Sequence, residues 1–159
     1  MAGQSETAYG EDHGPHILEI YKVLLEMADR VSARRQVVNS FFLTLNTSLT
    51  ALIGYAGLVS DDLDNPEFLV LIAAVGAVAA VLWLLMINSY NKLNDAKFRV
   101  ILEVEQSLPV RPFYGERHVY KQLRLRGFRE IEACIPVLFI TIHTFAFLIA
   151  MIVFVKDVT

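Results

Sequence analysis

The sequence predicts an all-α integral membrane protein, with three transmembrane helices, the first two extended into a cytoplasmic helical stalk, and a homo-oligomeric assembly. Three observations predict it. Charge is absent from Val37 to Ser60, from Phe68 to Tyr90 and from Ala133 to Val155. Each run is long enough, at ~1.5 Å rise per residue, to cross ~30 Å of hydrocarbon. Bases fall on one side of these runs: four before the first, nine between the second and third, and only Lys156 after the third. Apolar side chains also recur at helical spacing on the inner flanks of the first two runs.

Composition agrees. Hydrophobic residues make up 55% of the chain, mean hydropathy is +0.46, and the charged fraction of 19% lies below the quarter usual in soluble domains. A net charge of -3 says little as a total; its distribution carries the information. One cysteine, Cys134, excludes an intrachain disulfide and any multi-cysteine metal site. It lies in an apolar run and is expected to be a small buried residue. The start, MAGQSETAYGEDHG, lacks the basic and apolar regions of a cleavable signal peptide.

Residues 1–15 read as a disordered polar lead, and 16–36 as an amphipathic helix on the cytoplasmic side. Ile17, Tyr21, Leu24, Ala28 and Val31 follow 4-3-4-3 spacing. No helix breaker separates this stretch from the first span, 37–60, so one helix is expected to run through both. The short loop 61–67 carries four acids and no base, and Asp64-Asn65-Pro66-Glu67 supplies a turn and a helix start. The second span, 68–88, continues into an amphipathic helix at 89–108. There Leu93, Ala96, Val100 and Val104 make the expected stripe, widened by Phe98, Ile101 and Leu102, with Lys97, Arg99, Glu103 and Glu105 on the polar side. The two stripes would pair as an antiparallel stalk. Pro109 ends it.

Segment 109–128 is a basic connector, with Arg111, Arg117, Lys121, Arg124 and Arg126 against the single acid Glu116. Interleaved apolar residues suggest a short interfacial helix on the inner leaflet. Arg117, Lys121, Arg124 and Arg126 then either touch anionic lipid headgroups or only set topology. Nucleic acid is not an expected partner. The third span is 129–155, followed by an outer tail, 156–159. The bias of lysine and arginine puts the N-terminus in the cytoplasm and the C-terminus outside.

Within the spans, Asn39, Asn46 and Thr50 fall on one line of the first helix at about 100° per residue. The arc Phe41, Phe42, Leu45, Leu49, Leu52, Ile53 and Ala56 looks lipid-facing. His143 shares a face of the third span with Ala146 and Ala150. Asn39, Asn46, Thr50 and His143 are therefore candidates either for interhelical hydrogen bonding or for lining a pore. Span two carries small residues four apart, Ala73 with Ala77 and Gly76 with Ala80, a spacing that lets helices approach closely. Glu130 and Glu132, at the inner mouth of span three, are expected to pair with Arg126 or Arg129 or to favour the helix start. No phosphate loop, ligand cluster or activated nucleophile is apparent. Catalytic residues, cofactor and metal are all expected to be none, and the protein is not expected to be an enzyme.

Three stretches carry a family resemblance: VSARRQVVNSFFLTLNT at 31–47, NSYNKLNDAKFRVILEVEQSLP at 88–109, and FREIEACIPVLFI at 128–140. Together they resemble the RipA-type family of bacterial octameric inner-membrane proteins. The resemblance implies a homo-octamer in the bacterial cytoplasmic membrane, linked to envelope or stress adaptation, and supplies no catalytic residue. The basic motif before a two-span hairpin is also loosely similar to SLATT-type membrane effectors, from which a third span departs. The expectation is an oligomeric membrane scaffold, with an oligomeric pore lined by the polar face of the first span as the alternative.

Overall fold

The computed structural model describes residues 13–59, 66–122 and 128–158, all but a few of them helical. The elements are α1 (His13–Val59), α2 (Pro66–Val104), a 3₁₀ turn (Glu105–Ser107), α3 (Pro112–Gln122) and α4 (Phe128–Val158). Three of these helices, α1, α2 and α4, are long and apolar enough to cross a membrane. The helix begins earlier than the polar composition suggests, since His13 to Pro15 already belong to α1. A proline is tolerated in a first turn because its missing N–H would have no helical acceptor there. Lys156 and Asp157, expected in a tail, close α4. The loop residues 61–65, Arg124 and Arg126 lie outside the described residues, as do positions 1–12 of the lead.

The chain divides into two compact units. The first, here the charged unit, comprises 13–34 and 91–122; the second, the apolar unit, comprises 35–59, 66–90 and 128–158.

In the charged unit, Tyr21, Ala28 and Ile101 form the core, with Leu24, Leu25, Phe98, Val104, Leu108 and Phe113 packed against it. The α1 side follows the predicted spacing. On the α2 side Val104, Phe98 and Ile101 turn inward as expected, but Leu93, Ala96 and Val100 are exposed, and the inward line is Asn94, Phe98, Ile101 and Glu105. Phe98 packs edge-on against Phe113 of α3, with ring centroids 5.8 Å apart. That aromatic pair rotates the helix, and Glu105, expected on the polar side, is carried to full burial.

In the apolar unit α2 is the central helix, burying Ile72, Ala73, Ala79, Ala80, Trp83 and Ile87. Its small residues therefore do face neighbouring helices. The two faces of α1 are drawn differently from expectation. Phe42, Leu45, Leu49 and Ile53 turn partly inward with Asn39, Asn46 and Thr50, while Ser40, Thr44, Thr47 and Ser48 are exposed. The cause is the ring of Phe42, which stacks on Trp83 and fixes the rotation of α1. Cys134 is exposed rather than buried, its thiol donating to the Glu130 carbonyl at 3.2 Å.

Candidate functional site

The polar residues of the apolar unit form two layers separated by aromatic rings. At the end nearest position 35, Glu132 of α4 accepts from the Asn39 side-chain amide and faces the Arg35 guanidinium at 3.6 Å. Asn39 in turn accepts from the Trp83 indole N–H at 2.9 Å. One short chain thus ties α1, α2 and α4. A partner of Glu132 among the described residues is Arg35 on α1, while Arg126 lies outside them. Glu132 also stands four residues before Pro136, whose ring nitrogen cannot donate to the Glu132 carbonyl.

Next comes an aromatic column. Phe42 lies parallel to Trp83 (6.2 Å, 7°), Trp83 meets Phe139 (6.2 Å, 40°), and Phe139 stacks on the His143 imidazole (6.3 Å, 25°). Contacts between 39 and 132, and between 42 and 139 through Trp83, make α1 and α4 parallel. One turn beyond Phe42 is Asn46, and one turn beyond Phe139 is His143. The two polar side chains therefore share a level.

Both are fully buried. Asn46 donates to the Phe42 carbonyl at 2.8 Å, and the Thr50 hydroxyl donates to the Asn46 carbonyl at 2.8 Å. Oδ1 of Asn46 and both ring nitrogens of His143 have no hydrogen-bond partner among the described residues. Gly76 of α2 explains how the imidazole fits, because a Cβ at that position would overlap the His143 ring. Glycine is required there by close approach.

The charged unit holds a different polar centre, which the sequence reading placed at the surface. Glu105 Oε1 accepts from the Tyr21 hydroxyl at 2.8 Å and from the Phe113 N–H at 3.0 Å, and Oε2 accepts from the Tyr114 N–H at 3.1 Å. The last two donors are at the start of α3, where N–H groups have no helical acceptor and the dipole favours an anion. Burial, then the hydrogen bond and charge of Glu105, push the Tyr21 hydroxyl from 10.0 up to about 12. A signal for this centre existed in sequence: an acid shortly before a proline that opens a helix.

Arg117 is exposed on α3. Lys121 is in the last turn of α3, and Arg124 and Arg126 lie outside the described residues. Arg111, Arg117 and His118 border an open cleft of about 420 Å³ with Leu102, Gln106 and Tyr114. A second cleft of about 460 Å³, in the apolar unit, is almost wholly apolar and lies among Ile53, Leu69, Phe145 and Ile149. No group of three or more potential metal ligands occurs among the described residues.

A family model described as the octameric membrane protein family (8xMP) matches residues 18–153. This agrees with the octameric membrane family that the three sequence stretches resemble. No curated protein and no solved structure matches the chain.

Proposed function

Since the chain belongs to the octameric membrane protein family, we propose that it acts as a homo-octameric scaffold in the bacterial cytoplasmic membrane, serving envelope or stress adaptation without a reaction of its own. The carrying observation is the distribution of polarity over the apolar unit. Arg35, Asn39, Glu132, Asn46 and His143 are engaged or buried inside one chain, while the unit's exposed charged and amide side chains, Gln36, Glu67, Asn88, Glu130, Lys156 and Asp157, stand toward the helix ends. Its outward surface offers Ser40, Thr44, Thr47 and Ser48 of α1 beside large apolar side chains such as Phe41 and Phe145. Hydroxyl and small side chains at hydrocarbon depth suit contact between copies. The base distribution supports a cytoplasmic N-terminus and an outer C-terminus.

The pore remains the second reading, favoured by the same outward hydroxyls. Asn46 and His143 serve it poorly, being enclosed in their own bundle, and Ser40, Thr44 and Thr47 replace them as the groups to test. Two measurements decide. The mass of the detergent-solubilised protein should correspond to eight chains, and a monomer would overturn the assembly. Ion flux in liposomes should be absent for a scaffold. A flux abolished by Thr44→Leu with Thr47→Leu, and kept by Asn46→Leu, would replace the scaffold with the pore.

A further inference from the structure

We propose that the cleft between the end of α2 and α3 binds a phosphate ester. Its walls are Leu102 and Gln106 from one side and Arg111, Tyr114, Arg117 and His118 from the other. Two guanidinium groups and an imidazole thus border it, and among the described residues no carboxylate lines it. Three acids adjoin its walls in sequence: Glu103 and Glu116 are exposed and do not line it, and Glu105 is fully buried and turned into the core. There Tyr21, Phe113 and Tyr114 supply its hydrogen bonds, so it does not neutralise the arginines.

The same contacts make the cleft a built site. By accepting from the first N–H groups of α3, Glu105 fixes where α3 starts and so where Tyr114, Arg117 and His118 point. Arg111 is oriented by one N–H to the Gln106 carbonyl at 3.1 Å; a guanidinium has four further N–H donors. His118 lies 3.0 Å from the Gln122 side chain. A guanidinium fork matches the oxygens of a phosphate bidentately, as it does those of a carboxylate, and two of them with an imidazole suit the group with the larger charge and more acceptor oxygens. A volume of about 420 Å³ exceeds what a bare phosphate fills. Leu102 and the Tyr114 ring can cover the carbon skeleton esterified to it. This site is independent of the assembly reading, since all its walls come from the charged unit of one chain.

A lipid headgroup and a soluble phosphate ester share this chemistry, and two titrations separate them. Full-length protein in a neutral detergent is titrated calorimetrically with glycerol 3-phosphate and, separately, with short-chain phosphatidylglycerol against phosphatidylcholine. Binding of glycerol 3-phosphate identifies a soluble ester, and binding of phosphatidylglycerol alone identifies a headgroup. Either should weaken about tenfold or more with Arg117→Ala or Arg111→Ala, the loss of one charge-assisted hydrogen bond. Should the alanine variants lose α3 protection in amide exchange, Arg117→Lys and Arg111→Lys carry the test. They keep charge without the fork and should bind several-fold more weakly. No binding of either probe, or affinity unchanged in the variants that retain α3, would overturn the proposal.

Discussion

Both units bury polar side chains completely, and they do so on opposite terms. In the charged unit the carboxylate of Glu105 receives three hydrogen bonds from two segments far apart in sequence. In the apolar unit Asn46 and His143 are equally buried, yet three of their polar atoms have no partner among the described residues. A buried charge is tolerable when donors converge on it, and removing one side then exposes the desolvation cost of the other. A buried neutral group lacking a partner carries its cost already, so deleting it relieves rather than creates a deficit. The difference predicts that the more polar centre is the more stabilising one.

The sharpest way to break that contrast is Glu105→Leu. It leaves the Tyr21 hydroxyl and two α3 amides without an acceptor, and should cost about 3–5 kcal/mol. Amide exchange at Phe113 and Tyr114 should accelerate with it, and unchanged protection there would refute the anchoring role. The centre also predicts a pH response. Tyr21 holds its proton more tightly when folded (about 12 against 10.0). Its contribution is complete below pH 10 and is lost as pH rises through about 12. Tyr21→Phe should remove that alkaline loss of stability, to be followed by denaturation between pH 9 and 12 (on the order of three pH steps).

A smaller effect is expected in the other unit, from shape rather than hydrogen bonding. Gly76→Val places side-chain atoms where the His143 imidazole sits, and overpacking of this kind costs about 1–3 kcal/mol. His143→Ala should recover much of that loss in the double variant, because the two positions share one space. Additive losses would mean that Gly76 matters for some other reason. Asn39→Leu comes next. It deprives Trp83 of its acceptor and Glu132 of a donor, at about 1–2 kcal/mol. Trp83 is the sole tryptophan, so its emission reports on this bond directly and should shift to the blue.

How much of this was legible beforehand depends on whether the physics was local. The three spans were, because a run without charge declares its solvent residue by residue. The inward face of His143 was also readable, since Ala146 and Ala150 share it and the neighbouring helix offers Gly76. Glu105 was not. Whether a carboxylate can be buried is decided by donors elsewhere, one of them 84 residues distant. The rotation of α1 was misread for a similar reason. Hydrophobic and polar residues alternate around that helix, and the Phe42–Trp83 stack settled which of them faced inward. The contact of Glu132 with Arg35 followed the same rule, joining α4 to a base on α1 far away in sequence.

The least change is expected from Asn46→Leu, and it bears most directly on the contrast. The Asn46 amide donates to the Phe42 carbonyl four residues earlier, an acceptor that α-helical geometry already pairs with a backbone N–H. Losing that donor therefore orphans nothing, while Oδ1, which has no partner, is removed altogether. Leucine shares the branching and heavy-atom count of asparagine, and its bulkier methyl groups suit an apolar site one turn beyond Phe42. Stability should stay within about 1 kcal/mol of the parent, as read by denaturant unfolding in detergent micelles. A loss as large as that of Glu105→Leu would mean that Oδ1 and the His143 ring are bridged by a bound molecule, and that the apolar unit is held by a satisfied polar network after all.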